Sequence, residues 1–273
     1  MDTSTPIWQH ASFTAPVNFI LDARIVEYDI EKANISVLLD SGVISEQQYN
    51  MYYAMDKMER EIAIGKLQLK DKKVTDMLKL GITKARKHLC ERLNLDYTNV
   101  LSIKNDAIFI ISSGFDLGLD VIQVSPHVRF RRKGVFRSYY KLARKEFFYD
   151  FNPITRQHII DIKGLGDYAI GLQNDFMIAE LCNLFYIALS NSPRAALIEL
   201  TKFYNSYMNK ELPIEFYRRL DSNCRYDLND ISEYARFQAD YLIFKDKRNI
   251  VVSYNAKLLS VLSLYFVSAA LTA

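Results

Sequence analysis

Every glycine of this chain lies between Gly42 and Gly171, and the 102 residues from 172 to 273 hold only two prolines, Pro193 and Pro213. Glycine and proline most readily turn or interrupt a helix, so their scarcity commits the C-terminal part to helices. Apolar spacing places these over 175–190, 193–210, 228–244 and 257–270. The last run reaches the final sixteen residues, which carry no charge. Sixteen falls short of the roughly 20 apolar residues that a spanning helix needs. A buried terminal helix is expected there, not a membrane anchor.

The N-terminal part reads differently. Residues 24–30 place β-formers at Ile25, Val26, Tyr28 and Ile30 and lead into Glu31 and Lys32, the pattern of a strand followed by a helix. Stretches 45–69 and 73–93 have helical periodicity, and Ser45 with Gln48 forms a capping-box start. A second strand is expected over 100–112, with Lys104, Asn105 and Asp106 set inside an otherwise apolar run. The fold class is therefore α+β. Hydrophobic residues at 49% and charged residues at 25% suit a folded globular chain and exclude disorder.

Cys90, Cys182 and Cys224 are odd in number, widely spaced and free of any CxxC pattern, which argues against zinc and against a disulfide framework. The first nineteen residues lack the basic flank and apolar run of a secretory signal. Both features point to a reducing cytoplasm, that of the host where the source is a virus.

Asp29 and Asp106 each sit within an apolar strand, where an uncompensated carboxylate is costly to desolvate. Either could simply bond local backbone. Brought side by side, they would make a hard-oxygen site suited to magnesium, which takes one or two carboxylates and leaves room for substrate phosphates. The net charge of +3 does not by itself mark a nucleic-acid binder, so the distribution has to carry that argument. Residues 129–145 contain eight cations, Arg129, Arg131, Arg132, Lys133, Arg137, Lys141, Arg144 and Lys145, and no acid, interleaved with Phe130, Phe136, Tyr139 and Tyr140. Cations suit a phosphate backbone and rings suit stacking; the plain alternative is a solvated basic face. Residues 66–92 add nine cations against three acids.

The segment Tyr28-Asp29-Ile30-Glu31-Lys32-Ala33-Asn34-Ile35-Ser36-Val37 resembles the first palm motif of family B (polymerase-α-like) DNA polymerases, D-x-x-S-L-Y-P-S-I. Asp29 takes the place of the metal-binding aspartate. Residues 101–110 are similar to the later Y-G-D-T-D-S motif and its apolar strand, with Asp106 at the second aspartate. Lys57 and Gly65 fit the spacing of K-x-x-x-N-S-x-Y-G, and Gly81-Ile82-Thr83-Lys84-Ala85-Arg86 is similar to I-T-x-x-G-R. The basic run, followed by Ile162-Lys163-Gly164-Leu165, resembles the K-K-x-Y and K-G elements at the junction of palm and thumb. The likeness covers roughly 24–170. Lys104 stands where the family has the first aspartate of D-T-D-S, Asn34 where it has the tyrosine under the sugar, and Ile64 where it has the fingers tyrosine.

The resemblance implies a divergent palm without an exonuclease domain: a small antiparallel sheet with helices on one face over 1–165, short helical fingers within about 45–95, and a helical thumb-like region over 166–273. It implies template-directed nucleotidyl transfer, with Asp29 and Asp106 holding two Mg2+ ions and Lys57 and Arg60 facing the nucleoside triphosphate. Asn34 would lie at the sugar. Arg129, Arg131, Arg132, Lys133, Arg137, Lys141 and Lys163 would hold a DNA or RNA primer-template. Two other readings stand beside it: a non-catalytic palm-like subunit that binds nucleic acid within a larger polymerase or replication complex, and a structural or assembly protein.

Overall fold

A computed structural model of the protein describes residues 4–112, 119–142, 145–164, 175–209, 211–212, 216 and 248–272. The fold is α+β, with antiparallel sheets and a C-terminal helix. The chain divides into two compact units, 1–17 with 23–136 and 18–22 with 137–273. The division therefore falls after Phe136 rather than near residue 165, because the strands that follow go with the C-terminal helices.

The first unit is built on a six-stranded sheet of β1 (Ser12–Thr14), β3 (Ile25–Ile30), β4 (Val100–Lys104), β5 (Ala107–Ile111), β6 (Val121–Gln123) and β7 (Arg129–Phe136), ordered β1-β4-β5-β3-β7-β6. The strand expected over 100–112 is in fact a hairpin. Asn105, with φ of +57°, and Asp106 form its two-residue turn, and Lys104 pairs with Ala107. Asparagine tolerates the left-handed region better than most residues, so the polar interruption in the apolar run is where the chain reverses. β5 lies between β3 and β4 and is antiparallel to both, so β3 and β4 run the same way as a split βαβ unit.

Four helices connect β3 to β4: α1 (Ala33–Asp40), α2 (Glu46–Ala54), α3 (Lys57–Lys70) and α4 (Lys72–Leu93). The single helix expected over 45–69 is broken at Met55 and Asp56. The Asp56 side chain accepts the Glu59 amide and starts α3 afresh. The Ser45–Gln48 capping box forms as expected. On the sheet, Val26, Tyr28, Ile30, Ile103, Ile108, Ile110 and Phe130 share one apolar, buried face. The buried stripes of α1 (Ile35, Leu38) and α4 (Ile82, Leu89) complement it. Close approach of these two helices rests on Gly81, where an added Cβ would lie 2.3 Å from Val37 Cγ1. Gly81→Ala is therefore expected to destabilise the protein by about 1–3 kcal/mol through overpacking, despite the better helix propensity of alanine. Adding Val37→Ala should recover part of that loss in a double-mutant cycle read by urea unfolding. Independent, additive losses would contradict the contact.

The second unit pairs β2 (Phe19–Ile20), β8 (Ser138–Leu142), β9 (Lys145–Asn152) and β10 (Gln157–Lys163) in the order β10-β9-β8-β2. Its helices among the described residues are α5 (Asp175–Ser190), α6 (Pro193–Met208) and α7 (Arg248–Thr272). The apolar C-terminal stretch is a helix as expected and buries one face, with Leu258, Leu259, Leu262 and Phe266 in the core beside Phe147 and Phe185, while Leu264 and Leu271 are exposed. No helix among the described residues is long and apolar enough to cross a membrane. The helix expected over 228–244 lies outside the described residues, as do Arg144, Leu165 and Cys224.

Candidate nucleotide and metal site

Asp29 is the penultimate residue of β3, and Asp106 occupies the turn of the neighbouring hairpin. Ile30 donates its backbone N–H to the Asp106 carbonyl (3.2 Å), and Asp29 pairs with Ala107 in the ladder. The two sequence-predicted aspartates therefore meet at the end of the sheet where the parallel strands β3 and β4 finish. Burial, and then the neighbouring charge of Asp29, hold the Asp106 carboxyl above the ordinary carboxylate range, with Glu61 adding to the rise and Lys133 opposing it. Two carboxylates sharing one field, partly out of water, are an arrangement that a cation relieves.

One cation is already supplied by the chain. The β3–β7 ladder slips at Glu27 and Tyr28, with Glu27 opposite Gly134 and Tyr28 opposite Arg132, so Lys133 is the extra residue of a bulge. A bulge re-aims the side chain it carries. Here the Lys133 ammonium reaches Asp29 Oδ2 (3.1 Å) and approaches Glu27 Oε1 (3.8 Å). Glu27, buried and two residues from Asp29 on the same strand face, is a member of the site that the sequence reading missed. Its period-2 spacing from Asp29 was the available signal.

The hairpin turn is held from behind. Arg86 of α4 is 2% exposed and donates to the carbonyls of Asn105 (2.6 Å) and Trp8 (3.0 Å) and to Thr83 Oγ1 (3.1 Å). Burial pulls its guanidinium pKa down, while Cys90 and Asp106 oppose that fall. The I-T-x-x-G-R likeness had marked this arginine without assigning it a role.

Opposite the carboxylates, the entry to α1 brings cations together. Lys32 precedes the helix in the left-handed region (φ 48°), and no side chain caps the helix N-terminus. The Lys32 ammonium donates to the Tyr53 carbonyl (2.8 Å) and lies 3.1 Å from the centroid of the Tyr53 ring. Partial burial and then Arg60 lower the Lys32 pKa, which places Arg60 nearby. Asn34 donates to Glu61 Oε2 (3.4 Å). Asn34 therefore adjoins Asp106 through Glu61, whereas Arg60 donates to the Met55 carbonyl (3.2 Å) and lies near Lys32. Lys57 opens α3, exposed, three residues from Arg60 and so on the same side of that helix.

The basic run does not form the single free surface expected. It is divided among β7, β8 and the first residue of β9, and its rings are buried: Phe130, Phe136, Tyr139 and Tyr140 belong to cores, because strand alternation turns them inward. They offer no stacking platform. Most of its cations are ion-paired. Arg129 Nε donates to Glu31 Oε2 (2.5 Å), with Arg131 at 3.6 Å from the same oxygen. Arg132 pairs with Asp120, and Arg137 Nε donates to Asp22 Oδ1 (3.0 Å). Lys163 pairs with Asp161 (2.8 Å), Lys141 stands opposite Glu146 in the β8–β9 register, and Lys145 is buried, its pKa pulled down to about 8 by desolvation. Arg131 and Lys133 keep about half of their side-chain surface exposed and adjoin Asp29.

Among the described residues, no group of three or more His, Cys, Asp or Glu is arranged to hold a metal ion. Asp29 and Asp106 nevertheless suit magnesium in donor type and number, since magnesium is commonly held by one or two carboxylates with water and substrate phosphate completing its shell.

A family model described as Bacteriophage PBS1 gene 130 protein matches residues 5–264. No curated protein matches the chain.

Proposed function

We propose a function for a chain that belongs to the Bacteriophage PBS1 gene 130 protein family: a palm-type nucleotidyltransferase that adds nucleoside triphosphates to a DNA or RNA primer-template in the host cytoplasm. The observation that carries this reading is the meeting of Asp29 and Asp106 at one end of the sheet, beside the N-terminus of α1. Asp29 and Asp106 would hold magnesium, which activates the attacking hydroxyl and neutralises charge on the leaving pyrophosphate. The first amides of α1 point their N–H groups out of the helix end, a natural seat for phosphate oxygens. Lys32, Arg60 and Lys57 add positive charge on that side, and Lys133 holds Asp29 in place. Arg131 and Lys133 are the cations best placed to meet a nucleic-acid backbone near the reacting atoms.

The test is magnesium-dependent binding of a labelled nucleoside triphosphate to the full chain, followed by primer extension. Binding that requires magnesium, together with extension, supports the reading; neither, across DNA and RNA primer-templates, defeats it. Neutralising Arg131 and Lys133 together should lower the slope of log K against log salt for nucleic-acid binding by about 0.7–0.9 for each phosphate that the variant no longer neutralises. An unchanged slope would leave both as structural ion-pairing residues.

Two observations favour a second reading, a non-catalytic palm-like subunit that binds nucleic acid in a larger replication complex. The cation at Asp29 is already the Lys133 ammonium, and Lys104, at the place of the family's other aspartate, donates to Thr14 Oγ1 (3.1 Å). Salt-sensitive nucleic-acid binding without magnesium-dependent nucleotide binding would select this reading.

A further inference from the structure

The outer side of α3 carries an apolar stripe that serves neither the core nor the carboxylate site. Met58, Ile62 and Leu69 are 70%, 52% and 88% exposed. With Gly65 they occupy positions 58, 62, 65 and 69, the alternating four-and-three spacing of a seam that receives another helix. At Gly65 there is open space within 4 Å of where a Cβ would stand, so a partner's side chain can descend to the backbone there. An open groove of about 580 Å3 runs along this seam, lined by Ile62, Gly65, Lys66, Gln68, Leu69 and Thr75. Lysines outnumber acids on its rim. Lys66 lines it, and Lys72 and Lys79 lie three residues before and four after Thr75, on the same side of α4, with Asp71 four before it and Asp76 beside it.

We propose that this groove is a docking site for an acidic amphipathic helix of a partner protein. The aliphatic seam calls for apolar anchors at helical spacing, and the lysines call for carboxylates on the flanks of those anchors. A second copy of the chain is disfavoured because the lysine rim would face itself. Nucleic acid would find the cations but no aromatic ring in the lining on which a base could stack.

Selection of a random-peptide display library on the immobilised full chain tests the proposal. The enriched peptides are expected to place apolar residues at i, i+3 or i+4, and i+7, with Asp or Glu beside them. Ile62→Asp and Leu69→Asp, both at exposed positions, should each weaken binding at least tenfold with the unfolding midpoint unchanged. Should either variant unfold, the triple variant Lys66→Glu, Lys72→Glu, Lys79→Glu decides, because it should reverse the preference toward basic flanks. The proposal is overturned by enrichment that ignores charge, by retention on Ile62→Asp, or by the absence of any enriched peptide. It is equally overturned by a wild-type dimer in solution that Ile62→Asp converts to monomer, or by single-stranded DNA binding that Ile62→Asp abolishes.

Discussion

Asp106→Asn is expected to lower magnesium-dependent nucleotide incorporation by about a thousandfold, the several kcal/mol that a bound metal ion supplies, and at the same time to make the folded protein more stable at neutral pH. The first effect follows from loss of a charged ligand in a nearly isosteric side chain. Linkage gives the second. Burial and Asp29 raise the folded-state pKa of Asp106 above its ordinary value of 3.8, so the native state binds the proton more tightly than the unfolded state does. That contribution is present in full below 3.8 and is lost as pH rises through the raised value. At neutral pH the wild type therefore holds an unfavourable charge that asparagine removes. Urea midpoints should be higher for Asp106→Asn at pH 7, and the gain should disappear under acid conditions. A midpoint at pH 7 equal to or below that of the wild type would mean that Asp106 is a structural acid with compensated charge. Asp29→Asn should abolish incorporation to a similar degree. It should also remove the 3.1 Å contact of the Lys133 ammonium and leave Glu27 as its neighbouring carboxylate.

Arg86→Met is expected to cost about 2–4 kcal/mol of folding stability, because two part-buried carbonyls each lose a donor at roughly 1–3 kcal/mol, against a total of roughly 5–15 kcal/mol for a domain. Its guanidinium serves acceptors on three separate parts of the first unit: Trp8, Thr83 within α4, and Asn105 in the hairpin turn. Methionine fills much of the volume and leaves two part-buried carbonyls without that donor. Arg86→Lys should recover less than half, because a single ammonium lacks the planar fork that meets divergent acceptors. The check is urea unfolding at constant m-value. A loss under about 1 kcal/mol would show that water reaches those carbonyls. Because one of them belongs to the residue before Asp106, milder variants that fold should also weaken magnesium binding.

Local chemistry was legible in the chain wherever a single segment decides its own conformation. Helix α5 runs over the residues that its apolar spacing marked, the Ser45 cap closes with Gln48, and the uncharged C-terminal stretch is a helix with one face in the core. Asp29 stood out as an acid inside an apolar strand, against the desolvation that it must overcome, and Asp106 as part of a polar interruption that forms a hairpin turn. The break at Asp56 and the reversal at Asn105 were also written in the residues. They read as continuous elements because helical and strand periodicity both persist across a two-residue interruption.

Pairing between distant segments was beyond any local pattern. Glu31 and Arg129 lie 98 positions apart, and the basic run looked free because its acids are Glu31, Asp29, Asp120 and Asp22 rather than residues of nearby sequence. Burial of its rings depended on which face of β7 and β8 met a core, and the slip that turns Lys133 toward Asp29 depended on the register of two strands a hundred residues apart. By itself the sequence determined elements such as β3, α5 and the capped start of α2, and the cost of burying Asp29, since propensity, capping and apolar period act over a few residues. Only the tertiary structure decided which charges neutralise one another, because electrostatic and packing partners are set by distance in space, and strand register converts sequence separation into that distance.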